Sequence, residues 1–423
     1  MSSEQERLSD IAKFELISKA SRVFSPAAPI NRRDLFAGRL TQLQRVVEAI
    51  GTRGQHVVIF GDRGVGKTSL ANIVLDVIQN SFDDADQGRV VKVNCSQEDN
   101  FASIWKKALS EITVIQDGGY STLGFKAKPI LEEYSAADAL PEHPSPNDIR
   151  RVVTRFGTTI VILDEFDRIS DGQGLFADTI KTLSDNSTDC TLVLVGVAKN
   201  IDELIAEHAS VDRALIQILM PLMTTSELHE IVNKAMTAIG MTMESDAREL
   251  IVLLSQGLPH YTHSLGKAAT LHALNHGALN VSLEDVYASI NSAIDNSQQS
   301  IRNAYHHATS SPRKDAIFKQ VLLSCAITTT DDLGFFISSD VRGPLSKILR
   351  KQCAIGMFLG HLDKFASPDR GNVLEKQGTR RRYRFRFANP LLRPFVIIRG
   401  MADGLLRGKD LIKLLKENAG RST

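Results

Sequence analysis

The chain has 423 residues, of which 43% are hydrophobic and 23% charged, as is typical of a folded protein with two or three domains. Its 50 Lys and Arg nearly balance its 49 Asp and Glu, its four cysteines show no metal-ligand spacing, and it has neither a membrane-spanning apolar run nor the apolar core of a signal peptide. These features exclude disulfide-rich secreted and membrane-spanning classes, and they predict a cytoplasmic protein that does not associate with membranes.

The N-terminal segment, residues 1–35, is predicted to hold a short amphipathic helix and a proline-containing linker. Leu35-Phe36-Ala37-Gly38-Arg39 is expected to open a second helix, because apolar residues then recur at helical spacing as far as Ile50. Apolar strands and helices alternate beyond it, which predicts one α/β domain over residues 36–224.

The clearest motif follows a short apolar run, Val57 to Phe60, that is typical of a buried parallel strand. The next residues fit the P-loop spacing G-x-x-x-x-G-K-[ST], in which backbone amides curl around phosphate oxygens, the lysine reaches the β- and γ-phosphates, and the hydroxyl takes one position on Mg²⁺. The alternative is a glycine turn without a ligand. We predict a nucleoside triphosphate site formed by Gly61, Asp62, Arg63, Gly64, Val65, Gly66, Lys67, Thr68 and Ser69.

A pair of carboxylates ends another apolar strand. After a strand at Val90–Asn94 and an insertion or mobile loop at residues 114–145, the run Thr158–Leu163 leads into Asp164 and Glu165. Ligands bind at the carboxyl ends of parallel strands, so we predict that Asp164 holds Mg²⁺ and that Glu165 polarises the water attacking the γ-phosphate. Alternatively, the two carboxylates only end a strand at solvent.

Two polar residues near the following strands are further candidates. Asn200 either orients the attacking water or caps the helix that begins at Ile201. Arg213 precedes a strand at Ala214–Leu219 and is either an arginine finger that reaches a neighbouring subunit or a solvated, ion-paired arginine.

Residues 225–300 are predicted to form a helical lid, because four segments show apolar residues three and four apart. Between the second and third helices, the segment from Gln256 to Tyr261 is either a plain helix stop and start or a turn that touches the nucleotide, with His260 or Tyr261 near the phosphates. The polar residues 297–312 are predicted to be a linker.

Residues 313–423 are predicted to form a winged helix-turn-helix of three helices and a strand pair. They carry 22 Lys and Arg against 10 Asp and Glu, a net charge of +12, while the rest of the chain carries −11. In the second strand, arginines alternate with aromatic residues, which predicts a row of guanidinium groups opposite a core-facing wall. The candidate phosphate contacts are Arg380, Arg382, Arg384 and Arg386.

Together these motifs resemble the AAA+ superfamily, and within it the branch of origin-recognition and replication-licensing ATPases, transposon regulatory ATPases and STAND switch ATPases. The resemblance implies an α/β P-loop NTPase fold, a parallel sheet flanked by helices, with a helical lid and a C-terminal winged helix-turn-helix. It also implies roles for individual residues. Lys67 and Thr68 bind phosphate and Mg²⁺, Asp164 coordinates, Glu165 is catalytic, Asn200 approximates sensor 1 and Arg213 is the finger.

The lid departs from the replication branch. Where replication ATPases place an arginine, this chain has Gly257-Leu258-Pro259-His260, which looks like the Gly-x-Pro turn of STAND proteins. The resemblance therefore implies an ATPase that uses ATP and Mg²⁺, works as an ATP-dependent switch and homo-oligomer, and binds double-stranded DNA through the winged helix. The alternative is a STAND-like signalling or defence ATPase whose winged helix contacts its own ATPase domain or a protein effector.

Overall fold

The computed structural model describes residues 10–26, 28–82, 88–121, 128–169, 171–198, 204, 211–313, 315–331, 333–379, 382–406 and 408–419. The chain divides into two compact units, residues 29–221 and residues 1–28 together with 222–423. The domain boundaries predicted at residues 36, 225 and 313 stay predictions.

Helices and strands alternate along residues 29–221. After α1 (Asp10–Val23) of the other unit, the elements are α2 (Leu40–Ile50), β1 (His56–Gly61), α3 (Lys67–Gln79), β2 (Arg89–Asn94), α4 (Phe101–Ser110), β3 (Thr113–Ser121), β4 (Lys128–Ser135), α5 (Pro146–Val153), β5 (Thr159–Asp164), α6 (Gln173–Asp185), β6 (Cys190–Val197) and β7 (Leu215–Leu219). Five of the strands form one parallel sheet in the order β2-β5-β6-β1-β7. The predicted fold, a parallel P-loop sheet flanked by helices, is confirmed.

The sheet brings the two strongest motifs to one edge. Strands β1 and β5 are buried along their whole length, as their apolar sequences predict. In the register, Gly61 of β1 lies beside Val197 of β6, and Leu163 of β5 lies beside Leu194 of β6. Because the strands are parallel, their carboxyl ends meet at the same edge, with β6 between the two motifs.

The predicted loop at residues 114–145 is wrong in part. Strands β3 and β4 form an antiparallel hairpin there, with a register shift between Asp117 and Tyr120. A register shift breaks the period-two alternation by which a strand is recognised in a sequence, so the pattern was weak although the strands exist.

The other unit continues with helices at nearly the predicted positions. They are α7 (Thr225–Ile239), α8 (Ser245–Ser255), α9 (Pro259–Asn275) and α10 (Leu283–Asp295), with the short parallel strands β8 (Thr242–Met243) and β9 (Asn280–Val281) between them. Capping boxes start α7 at Thr224 and α10 at Ser282.

The predicted linker at residues 297–312 instead contains a helix, α11 (Gln299–Thr309). Its buried side chains include Ile301, Tyr305 and Ala308, which lie on one helical face. The polar composition of this segment concealed that narrow apolar stripe.

Among the described residues, no helix combines the length and the apolar character that crossing a bilayer requires.

The C-terminal part of this unit holds the predicted helices and strand pair. Its elements are α12 (Phe318–Ile327), β10 (Phe336–Ile337), α13 (Ser338–Leu349), α14 (Ile355–Phe365), β11 (Leu374–Gln377), β12 (Arg384–Phe387), α15 (Leu392–Ala402) and α16 (Gly408–Ala419). Strand β12 is the middle strand of a three-stranded antiparallel sheet, between β10 and β11.

Candidate nucleotide site

The loop between β1 and α3 is shaped by its glycines. Gly61, Gly64 and Gly66 all have positive φ angles, which side chains disfavour. At Gly61 a Cβ atom would lie 2.5 Å from the Met220 carbonyl oxygen, so only glycine allows β1 to end this close to its neighbour. Helix α3 begins at Lys67 with Gly66 as its N-cap residue. The free amides at a helix N-terminus form a ready site for an anion.

Lys67 is buried and turns back onto its own loop. Its ammonium group donates hydrogen bonds to the backbone oxygens of Gly61 at 2.9 Å and Asp62 at 2.8 Å. Burial lowers the pKa of Lys67 to about 8, against the opposing effect of Asp167 and other nearby carboxylates. The lysine is thus held beside the loop, and the negative charge of a phosphate group there would oppose the lowering of its pKa.

The side chains of Thr68 and Asp164 meet, although they are far apart in sequence. The Thr68 hydroxyl donates to Asp164 Oδ1 at 3.3 Å, and Asp164 is buried at the end of β5. A hydroxyl and a carboxylate are oxygen ligands of the kind that Mg²⁺ prefers. The donor set therefore fits the predicted magnesium site.

Lys92 on β2 is part of the site and was not predicted. Its Nζ lies 2.9 Å from Asp164 Oδ2 and donates to Asn72 Oδ1 at 2.6 Å. It is the one charged residue among apolar neighbours in Val90-Val91-Lys92-Val93, and that interruption of a strand pattern was the signal that could have identified it.

Glu165 lies beside this cluster in a left-handed backbone conformation, with φ at 57°. The next residue, Phe166, is fully buried and packs edge-on against Phe176 with ring centroids 5.0 Å apart, which anchors the turn. The Glu165 carboxylate is half exposed and pairs with Arg168 at 2.9 Å. Exposed pairs of this kind are weak, so the carboxylate can be redirected at little cost.

Asp167 links this turn to strand β6 and is a second residue that the sequence did not reveal. Its Oδ1 accepts a hydrogen bond from the Val197 backbone N–H at 2.8 Å. A Cβ atom on Gly196 would lie 3.1 Å from the same oxygen, so the glycine allows the close approach. Asp167 thereby fixes the end of β6 between the P-loop and the acidic pair.

The remaining residues of the predicted site lie in different parts of the structure. Ser69 accepts a hydrogen bond from the Ile30 backbone N–H at 3.1 Å. The side chain of Arg213 is 81% exposed and pairs with Asp185 at 3.1 Å. His260 belongs to the other unit, where its Nδ1 lies 2.8 Å from the Pro26 carbonyl oxygen, and its nucleotide role stays a prediction. Asn200 lies outside the described residues.

The predicted row of C-terminal arginines needs one correction. Arg386 is only 9% exposed and donates to Glu375 Oε2 at 2.8 Å, because Glu375 lies directly opposite it on β11. Arg384 is partly exposed, with its guanidinium 4.1 Å from the Phe335 ring centroid. Arg382 is exposed, whereas Arg380 lies outside the described residues. Among the described members of the predicted row, Arg382 and Arg384 are accessible to solvent, and the Arg384 guanidinium also lies 3.7 Å from Asp331 Oδ2.

Comparison with known proteins identifies similar chains. A family model described as an AAA domain matches residues 50–205, which include the P-loop and both acidic residues of the predicted site. Two curated proteins are similar over part of their length. ORC1-type DNA replication protein 15 of Haloarcula marismortui is 22% identical over 166 residues, and ORC1-type DNA replication protein 8 of Halobacterium salinarum is 25% identical over 162 residues.

These matches cover 38% and 37% of this chain, and only 36% and 37% of the two relatives. The chain thus matches little more than a third of the length of the curated relatives. Among solved structures, the ORC2 protein of Aeropyrum pernix in ADPNP and ADP complexes is 15% identical, with a TM-score of 0.45, and the match covers 95% of this chain and 98% of that one.

Proposed function

From the match of residues 50–205 to a family model of the AAA domain, we propose that the chain is an AAA+ ATPase that binds ATP with Mg²⁺ and acts as an ATP-dependent switch on DNA. The observation that carries the ATPase proposal is the contact between Thr68 and Asp164, 3.3 Å apart although 96 residues separate them in sequence. It joins the phosphate-binding loop to the acidic strand end, as hydrolysis of a triphosphate requires.

Each residue of the cluster has a defined task in this proposal. Lys67 and the loop amides hold the phosphates, while Thr68 and Asp164 hold Mg²⁺, which neutralises charge on the phosphate oxygens when bound. Once the Glu165 carboxylate separates from Arg168, it accepts the proton of the attacking water. Lys92 gives up its pair with Asp164 when that carboxylate is engaged.

The ATPase proposal is tested by separating binding from turnover. Glu165→Gln should retain ATP·Mg²⁺ binding by calorimetry but lose hydrolysis by about 100-fold or more, because only the proton acceptor is removed. Lys67→Ala should lose both. The control is Glu142→Gln, an exposed glutamate of the same unit, which should leave both unchanged. ATP binding by Lys67→Ala that is as tight as that of the wild type would refute the proposal.

DNA binding is proposed for the C-terminal domain, as a winged helix. Its net charge of +12 favours an anionic partner, and the curated relatives are named as DNA replication proteins. If Arg382 and Arg384 contact phosphates, the double variant Arg382→Glu/Arg384→Glu should weaken binding and reduce the slope of log K against log salt by about 1.8.

The matched control reverses the same amount of charge elsewhere in the domain. Lys409→Glu/Lys413→Glu on α16 should leave both the affinity and the salt slope for duplex DNA nearly unchanged. Equal losses in the two double variants would show that net charge, and not a defined arginine contact, governs binding. No loss in either would refute DNA binding through this sheet.

One observation favours the alternative of a protein effector. In a helix-turn-helix the second helix of the motif lies in the DNA major groove, which here would be α14. Its exposed side includes Met357 at 38% and Leu359 at 39%, with glycines and a single lysine, Lys364. Such a face suits a protein better than a base edge. If DNA binding fails the test above, Met357→Ser/Leu359→Ser should abolish effector binding.

A further inference from the structure

Two histidines and an aspartate converge at the C-terminal end of α9. His272 lies in the last turn of this helix, His276 follows at its C-cap, and Asp285 lies in the first turn of α10. His272 Nδ1 is 2.6 Å and His276 Nε2 is 3.7 Å from the same atom, Asp285 Oδ1. Residues four apart on a helix share one face, so both rings reach one carboxylate.

The aspartate is held in position by the start of its own helix. Its other oxygen, Oδ2, accepts hydrogen bonds from the Ser282 backbone N–H at 2.8 Å and from the Ser282 hydroxyl at 2.7 Å. This capping box leaves Oδ1 for the two imidazoles. Asp285 is buried, whereas the rings of His272 and His276 are 43% and 53% exposed, so the outer side of the group is open to solvent.

We propose that His272, His276 and Asp285 bind a divalent first-row transition metal, and that Zn²⁺ suits the set best. Two imidazoles and a carboxylate leave a fourth tetrahedral position for water. Bonds of about 2.0–2.1 Å at tetrahedral angles place ligand atoms about 3.3 Å apart, and the observed 2.6 and 3.7 Å lie on either side of that value. Ser282 supplies the outer hydrogen bonds that orient a ligating carboxylate.

A hydrogen bond explains one histidine at this carboxylate, whereas the second lies 3.7 Å from the same oxygen, beyond hydrogen-bonding distance. All three ligand atoms lie within 4.8 Å of one another, and the described part of the chain holds no second such group. His229 and Glu249, 3.3 Å apart in the same unit, form a histidine–carboxylate pair that no third metal ligand among the described residues joins. A bound metal would tie α9 to α10 and stabilise this helical unit, independently of the nucleotide site.

Metal binding can be measured on the full-length, tag-free protein with Co²⁺ and Zn²⁺ as probes. We expect one Co²⁺ per chain with the absorption of a tetrahedral site, displaced by Zn²⁺, and a higher Tm when Zn²⁺ is present at about 100 times its Kd. His272→Ala and His276→Ala should each weaken binding by about 10-fold or more. All four cysteines lie in the described part of the chain and are buried, so their thiols do not compete for the metal.

The matched control is His229→Ala, which removes the histidine that contacts Glu249 in the same unit and should leave Co²⁺ binding unchanged. Asp285→Asn keeps a capping side chain while removing the charged ligand, and it should lose the metal yet remain folded. Equal Co²⁺ affinity in the wild type and in His272→Ala/His276→Ala, or an equal loss in His229→Ala, would overturn the proposal.

Discussion

The Asp164 carboxylate has two side-chain partners, the Thr68 hydroxyl and the Lys92 ammonium group, and it also accepts a hydrogen bond from the Glu165 backbone N–H. A buried carboxylate that loses its cation is costly, since neither water nor another charge compensates it. The nucleotide-free protein therefore depends on Lys92 for a charge balance that Mg²⁺ would supply in the nucleotide-bound protein. This exchange makes the stability contribution of Lys92 dependent on the ligand.

We expect Lys92→Met to lower the stability of the nucleotide-free protein by about 2 kcal/mol, or about 5 °C in Tm, and this difference to shrink in ATP·Mg²⁺. Fluorescence of the single tryptophan, the buried Trp105, reports unfolding of this unit. In the control Lys107→Met, which breaks a pair with Asp99 away from the loop, the Tm difference should not depend on ATP·Mg²⁺. An equal loss of Tm for Lys92→Met with and without ATP·Mg²⁺ would contradict the idea that Mg²⁺ takes over the charge balance from Lys92.

His56, at the start of β1, gives a prediction about pH. Burial lowers its pKa to about 4, although the Ile180 carbonyl opposes this, so the folded protein keeps the imidazole neutral where the unfolded chain protonates it. Between pH 6.5 and 4 the unfolded state binds the extra proton, and stability falls as the pH falls. Because of this histidine, the free energy of unfolding should be about 1 kcal/mol lower at pH 5.5 than at pH 7.5.

The measurement is urea unfolding, followed by Trp105 fluorescence, at both pH values. His56→Asn retains an acceptor for the Leu192 N–H, which His56 Nδ1 now binds at 2.9 Å, but it cannot be protonated. Its stability should fall less between pH 7.5 and 5.5 than that of the wild type, by about the same 1 kcal/mol. An identical fall in the two proteins would exclude His56 as a source of the acid sensitivity.

At the element scale, the turn between α8 and α9 depends on Gly257. Its φ is +78°, and a Cβ atom there would lie 2.8 Å from Leu222 Cβ. Gly240, after α7, has a similar φ of +84° but open space around it. Gly240→Ala should therefore cost about 1 kcal/mol from backbone strain alone, and Gly257→Ala about 3 kcal/mol because a steric clash is added. Thermal unfolding followed by helical circular dichroism measures both.

Equal Tm losses for the two glycine variants would show that the atoms packed around Gly257 move aside at no cost in stability. A smaller loss for Gly257→Ala than for Gly240→Ala would contradict the steric argument altogether.

The elements that the sequence predicted correctly are those whose signal is local. The P-loop, the Asp164–Glu165 strand end and the helices α7 to α10 carry their pattern within one continuous segment. Lys92 and Asp167 were missed because their roles arise from contacts with segments that are distant in sequence. Arg386 was misplaced for the same reason, since alternation along β12 does not reveal the glutamate on β11.

At the scale of the whole molecule, Arg213 tests the proposed oligomer. Its side chain is 81% exposed and its pair with Asp185 is exposed as well, so it is free to reach a second copy of the chain. Arg213→Ala and Lys67→Ala should each lack hydrolysis alone. A mixture of the two should recover activity, because one copy supplies the intact P-loop and the other supplies the arginine.

Phosphate release at a fixed total concentration measures this complementation. Arg213→Ala that hydrolyses ATP as fast as the wild type would exclude the finger, and a mixture that stays inactive would exclude a contribution across subunits. Asp185→Ala serves as the control, since it removes only the partner of the arginine and should keep activity.

Strand β6 separates β1 from β5, so two inter-strand spacings, about 10 Å, lie between the loop and the acidic pair. Main-chain hydrogen bonds between the strands set that gap, and the contact between the Thr68 and Asp164 side chains spans it. In the proposed ATPase, substitutions at the edge of the nucleotide site can therefore stop ATP hydrolysis without weakening nucleotide binding. If the proposed ATPase assembles as an oligomer, a copy altered in this way would keep its nucleotide without hydrolysing it and serve as a permanently loaded subunit beside active copies.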